Sequence, residues 1–180
     1  MHFFELHYRS IIKYDFYNKF FLKNIKNIPK LQKIILNFSL KEEPKLIMSL
    51  SFLSVLELIS FQKGKLTSSK ISNMTFKIQK GHPVGCKVTL RKYVMYSFIA
   101  KLVLQILPGL NQFEGIRFSP TSINSLSFKL KNILLFPELL NQYELFKSIP
   151  FLHITLVGSS ENINKLSYLL RSFRLPLTKI

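Results

Sequence analysis

The stretch Phe76-Lys77-Ile78-Gln79-Lys80-Gly81-His82-Pro83-Val84-Gly85-Cys86-Lys87-Val88-Thr89-Leu90-Arg91 governs how the rest of the chain is read. From Cys86 to Arg91 apolar and polar residues alternate strictly, which is the period-two pattern of a half-buried strand. On such a strand Cys86, Val88 and Leu90 share one face, and Lys87, Thr89 and Arg91 share the other. Upstream, residues 70–85 carry Gly81, Pro83 and Gly85 and read as a long exposed loop. The apolar face needs a covering layer, whereas the basic face is left for a ligand.

Working outward, residues 3–21 place Phe4, Ile11, Ile12, Phe16, Phe20 and Phe21 at three-to-four spacing, an amphipathic helix broken by Asn24 to Pro29. Leu31 to Leu40 alternates as a strand. Pro44 then opens a helical run to Phe61, with proline in its first turn. Gln62 to Ser69 reads as a short basic strand, and Tyr93 to Leu107 as a helix stopped by Pro108-Gly109. Strands are expected at Ser125–Leu130 and Phe151–Val157, and a last helix at Asn162–Phe173. Helices and strands intermix, so the fold class is α+β, a mainly antiparallel sheet with helices packed on one face. No repeat or linker divides the 180 residues, which read as a single domain, 1–180, with one loop protruding at about 71–85.

The charge is one-sided. Lys and Arg number 26 against 9 Asp and Glu, a net charge of +17, on a chain that is 47% hydrophobic. Such a chain repels itself unless a polyanion neutralises it, and nucleic acid and an anionic membrane surface are the two candidates. Between Glu57 and Glu114 there is no acid, while Lys63, Lys65, Lys70, Lys77, Lys80, Lys87, Arg91, Lys92 and Lys101 all fall there. This density lies on strand and loop rather than on an amphipathic helix, which favours nucleic acid over lipid. Two further readings stand beside it: a solvated basic face, and a peripheral adaptor docking on anionic membrane lipid. Lysine outnumbers arginine 21 to 5. Lysine forgoes the bidentate phosphate geometry of arginine, so the bias speaks for an AT-rich genome rather than for a site.

Other chemistry is sparse. The single cysteine, Cys86, excludes an internal disulfide, and the scattered carboxylates and the histidines His2, His7, His82 and His153 show no metal-ligand spacing. No cofactor is expected. Gly64-Lys65 is followed by Leu66, which rules out a phosphate-binding P-loop. Cys86 with His82 four residues before it is the one arrangement that hints at a nucleophile, but Cys86 falls on the inward strand face. No window is long and apolar enough to span a membrane, and the first 15 residues do not read as a signal peptide.

The stretch quoted above resembles the hallmark segment of the large-subunit ribosomal protein "L five" family, whose bacterial form reads Phe-Lys-Ile-Arg-Gln-Gly-Tyr-Pro-Ile-Gly-Cys-Lys-Val-Thr-Leu-Arg. The resemblance extends through Ile28-Pro29, Lys33–Asn37, Ile59–Lys63, Phe136-Pro137-Glu138, Leu152–Thr155 and Phe173-Arg174-Leu175-Pro176. It implies a non-enzymatic constituent of the large subunit's central protuberance, with the sheet face opposite the helices turned to RNA. Asn37, Gln62 and Thr89 match the family's polar group facing 5S ribosomal RNA, with Lys63, Lys65, Lys87 and Arg91 beside them as charge. The 71–85 loop resembles the one that reaches the transfer RNA in the peptidyl site, through Lys70, Asn73, Lys77, Gln79, Lys80 and His82. Large-subunit ribosomal RNA, neighbouring central-protuberance proteins and a small-subunit head protein are the further partners implied, and no membrane. Two segments depart from the family: Phe118–Asn124 lacks its glycines and arginine, and Ser39–Glu43 lacks its Gly-rich turn. With the biased residue usage, these departures point to an organelle-encoded copy in the mitochondrial matrix, a plastid or a bacterial cytoplasm being the alternatives.

Overall fold

The structure is a computed structural model that describes residues 2–22, 24, 27–39, 46–111, 113–117, 124–141, 143–146, 149–160 and 162–178. The expected start of a helix at Pro44 and both departing segments, apart from Ser39 and Asn124, lie outside the described residues. The chain opens with α1 (Phe3–His7) and α2 (Lys13–Phe20), joined without a break by a turn of π geometry at Tyr8–Ile12. Then come β1 (Leu31–Ser39), α3 (Leu46–Ser60), β2 (Lys65–Ser68) and β3 (Pro83–Leu90). Next are α4 (Lys92–Lys101), continued by a second π turn at Leu102–Ile106, then β4 (Ile116–Arg117) and β5 (Ser125–Leu130). The chain ends with α5 (Pro137–Leu140), α6 (Tyr143–Phe146), β6 (Leu152–Gly158), α7 (Ile163–Ser172) and β7 (Leu177–Thr178). Five strands form a mostly antiparallel sheet in the order β2-β3-β1-β6-β5, and β4 and β7 pair in parallel as a separate two-residue ladder. The α+β architecture expected from the sequence is the one observed.

Two compact units divide these elements. The first comprises residues 1–34, 91–128 and 155–180. Its core is aromatic: Phe4, Tyr8 and Tyr96 gather around Phe173 with ring centroids 6.1 to 6.2 Å apart, and Phe16 meets Tyr168 edge-on at 4.9 Å. The Tyr8 hydroxyl donates to the Pro29 carbonyl at 2.9 Å, so this half-buried phenol keeps a partner. Leu166, Leu169 and Leu170 form the buried stripe of α7, the i, i+3, i+4 spacing that an amphipathic helix turns to a core.

The second unit, residues 35–90 and 129–154, holds most of the candidate interface. Leu36 and Phe38 of β1, Cys86, Val88 and Leu90 of β3, and Leu152 and Ile154 of β6 are buried. The helix α3 lies against this side: the Phe38 and Phe52 rings are 5.5 Å apart, and the Cys86 thiol reaches the Ser49 carbonyl at 3.8 Å. Alternation then puts Ile35, Asn37, Lys87, Thr89 and His153 on the opposite, open side. Charge follows the same division. The helices α3, α5 and α6 contain Glu57, Glu138 and Glu144 and not one Lys or Arg.

Candidate nucleic-acid interface

The strand expected from Cys86 begins three residues earlier, at Pro83, and stops at Leu90. Two corrections follow. Residues 83–85 belong to the strand rather than to the loop. Arg91 lies one residue past the end of the strand, with its backbone still extended (φ −140°, ψ 162°), and directly precedes α4. The early start has a physical cause. Thr67 faces Gly85 but Ser68 faces Pro83, so Val84 is one residue too many and forms a bulge. A Cβ at Gly85 would lie 2.2 Å from the Phe38 carbonyl oxygen, so only glycine lets β3 come this close to β1.

Beyond the bulge the register brings Lys65 directly opposite Lys87, both exposed. Like charges directly opposed across a ladder are destabilising, and the nearest acid in sequence is committed elsewhere. Glu57 accepts the Gly64 N–H at 3.0 Å and so latches the end of α3 to the start of β2. Gln62 is set in the same turn, its N–H donating to Ser60 Oγ at 3.3 Å while that hydroxyl donates to the Leu56 carbonyl at 2.6 Å. Phe61, at φ 53°, turns the chain out of the helix with its ring 77% exposed. Asn37 is half-buried on β1 between Leu36 and Phe38, and Thr89 is exposed. The second unit thus carries all six: Asn37, Lys87 and Thr89 take open-side positions of β1 and β3, Lys65 faces Lys87 from β2, and Gln62 and Lys63 lie in the turn between α3 and β2.

The residues between β2 and β3 have an internal architecture. Ser69 N–H donates to the His82 carbonyl at 2.9 Å and Gly81 N–H to the Ser69 carbonyl at 3.0 Å, which extends the β2–β3 hairpin outward. Asn73 and Ile78 then exchange both backbone hydrogen bonds, at 2.8 and 2.9 Å, and close a smaller turn. Asn73 Oδ1 accepts from Thr75 N–H at 3.0 Å and from the Thr75 hydroxyl at 2.6 Å, an Asx-type turn. The Asn73 side chain therefore builds the tip. Lys70, Lys77, Gln79, Lys80 and His82 are arrayed around it, with Ile71 and Met74 80% and 95% exposed.

Cys86 is inert. It is fully buried, and burial pushes its thiol up to about 12. His82 stands out on the loop, so the Cys86–His82 reading of a nucleophile fails on exposure alone. Among the described residues no group of His, Cys, Asp and Glu could hold a metal ion, and no helix is long and apolar enough to cross a membrane.

A family model for the C-terminus of the ribosomal protein "L five" family matches residues 83–177, more than half of the chain. The chain belongs to the ribosomal "L five" family. It is 39% identical to "Large ribosomal subunit protein uL5m" of Reclinomonas americana over 179 residues, covering 96% of each chain. It is 33% identical to the uL5 of Natranaerobius thermophilus, with 96% of each chain covered, and 33% identical to that of Nitrosomonas europaea, with 94% and 95% covered. This member of the "L five" family is accordingly a structural constituent of the large ribosomal subunit and not an enzyme, and it is of the mitochondrial ribosomal type. Sequence reasoning passed over two residues on the open face of its sheet, Lys129 and His153. Both were within reach of the alternation rule, because Leu130 and Ile154 beside them are the inward positions.

Proposed function

We propose that this chain binds 5S ribosomal RNA through the open sheet face and loop-proximal cations of its second unit. Asn37, Gln62 and Thr89 fix position by hydrogen bonds to sugar and base edges, and Lys63, Lys65 and Lys87 neutralise phosphates, with Arg91 adding charge just past the strand. The observation that carries this reading is the Lys65–Lys87 pair. An antiparallel register that opposes two exposed lysines costs stability in the free protein, and a bound phosphate turns that cost into binding energy. The protruding hairpin, with Lys70, Lys77, Gln79, Lys80 and His82 around a tip built by Asn73, is the element that contacts transfer RNA in the peptidyl site. Large-subunit ribosomal RNA, other proteins of the central protuberance and a protein of the small-subunit head complete the surroundings in the mitochondrial ribosome.

Affinity for a 5S-type RNA measured against salt tests this. Each phosphate neutralised contributes about 0.7 to 0.9 log units of affinity per log unit of salt, so three or four sheet-face contacts give a slope of about −2 to −4. Asn37→Ala or Thr89→Ala weakens binding to this RNA, whereas Lys77→Ala with Lys80→Ala leaves it intact. A flat salt response, or equal losses from both sets, overturns the division of labour.

A further inference from the structure

On the open side of the second unit, at the end of β6 and on β5, the two strands that follow β1 in the sheet order, three side chains form a group that the reading above does not use. Phe151, the residue before β6, and His153 within it are two residues apart and flank the inward Leu152, and their rings meet on the open side. Their ring centroids are 5.5 Å apart at an interplanar angle of 66°. Lys129, outward on β5, holds its Nζ 5.2 Å from the Phe151 ring centre. The two rings are half-buried and the ammonium is exposed. The buried contributions of these strands are Leu152, Ile154 and Leu130, on the other side of the sheet. Burial first, and the Lys129 charge second, hold His153 below its ordinary proton affinity, so it offers a neutral ring at neutral pH.

Aromatic rings on the solvent side of a sheet, with a cation at hand, are what an unpaired nucleobase stacks on while its own phosphate meets the ammonium. We propose that Phe151, His153 and Lys129 form a stacking site for an unpaired nucleotide of ribosomal RNA, on the strands next to those of the Asn37–Thr89 group. This rests on the reading that the open sheet face meets RNA. It adds a different chemistry there: a base held by its π-face, so selective for single-stranded loops over paired RNA but tolerant of base identity.

The chain contains no tryptophan, so Phe151→Trp in the full chain provides a sole indole reporter on the platform. Titration with a 5S-type RNA, which has unpaired loops, quenches it, and a fully paired duplex of equal length does not. His153→Ala lowers affinity for the loop-bearing RNA by about 5- to 150-fold, and His153→Phe restores it. Lys129→Ala lowers the salt slope by about 0.7 to 0.9. Thermal melts confirm that each variant is folded. Bound RNA without quenching, equal quenching by the duplex, or parent-like binding by His153→Ala overturns the platform. If Asn37→Ala and Thr89→Ala still weaken binding in that case, only the platform falls. If they too bind as the parent does, the RNA-facing reading of the sheet falls with it.

Discussion

Gly85→Ala separates the close approach of β3 to β1 from every other reason for a glycine in this segment. The new Cβ would sit 2.2 Å from the Phe38 carbonyl oxygen, whereas real Cβ atoms essentially never come within 3.0 Å of such an atom. Both contacting groups are backbone-fixed, so no side chain can swing aside and the strands must part by about 1 Å. A backbone hydrogen bond of about 2.9 Å stretched by that amount is no longer one. Losing two or three ladder bonds at about 1 kcal/mol each comes to about 3 kcal/mol, within the range of overpacking penalties in tight interiors. For a chain of this length that is a fall in Tm of about 6 to 12 °C. Gly81→Ala is the internal control: its φ of +91° strains any side chain, but nothing lies within 4 Å of the added atom. The cost there is the backbone term alone, about 1 kcal/mol and about 2 to 4 °C. Far-UV circular-dichroism melts of the two variants beside the parent decide the matter. A Gly85→Ala melt no lower than that of Gly81→Ala refutes the steric argument.

Three further outcomes follow from the same geometry. Lys87→Ala relieves the opposed Lys65–Lys87 pair, so the free protein is as stable as the parent or a few tenths of a kcal/mol more so, while affinity for 5S-type RNA falls; melts and binding curves on the same preparations check the opposite signs. Tyr8→Phe loses the bond to the Pro29 carbonyl and costs about 1 kcal/mol near neutral pH in urea unfolding. Burial, and secondarily Tyr96, raise the folded Tyr8 phenol from 10.0 to about 12, so the unfolded parent ionises first; the parent's advantage is full below pH 10, shrinks between pH 10 and 12, and an unchanged gap at pH 11 counts against this burial. Cys86, whose thiol is buried and raised to about 12, resists iodoacetamide at pH 8.5 in the native protein and reacts once unfolded, and labelling of the native chain contradicts its placement under α3.

The extended elements were legible because each carries one clean period. β1 alternates from Ile34 to Phe38, β3 alternates from Cys86 to Leu90, and α7 repeats leucine at helical spacing. The errors cluster where one residue serves two purposes. Pro83 and Gly85 carry the punctuation of a loop, yet they are a bulged strand, because Gly85 is there for backbone clearance rather than for a turn. Arg91 keeps the parity of the strand but precedes a helix. The π turns at Tyr8–Ile12 and Leu102–Ile106 leave no mark on composition, since one extra residue per turn only slips the helical period. The paired two-residue strands β4 and β7 are too short for any period to show. At the interface, the residue types of Asn37, Gln62, Lys87 and Thr89 were readable. The opposition of Lys65 to Lys87 was not, because it depends on a register shifted by the bulge at Val84.

The absence of Lys and Arg from α3, α5 and α6, beneath a sheet whose far side bristles with lysine, makes the second unit an electric dipole. Within about one Debye length, roughly 8 Å at physiological salt, a polyanion exerts a torque on such a body as well as a pull. Encounters that begin against these three helices meet no Lys or Arg on them to hold a phosphate, so they dissociate or rotate more readily than those that begin on the sheet face. The unit is turned before it is bound, and assembly loses less time to wrong-way collisions than an evenly charged protein of the same net charge would lose.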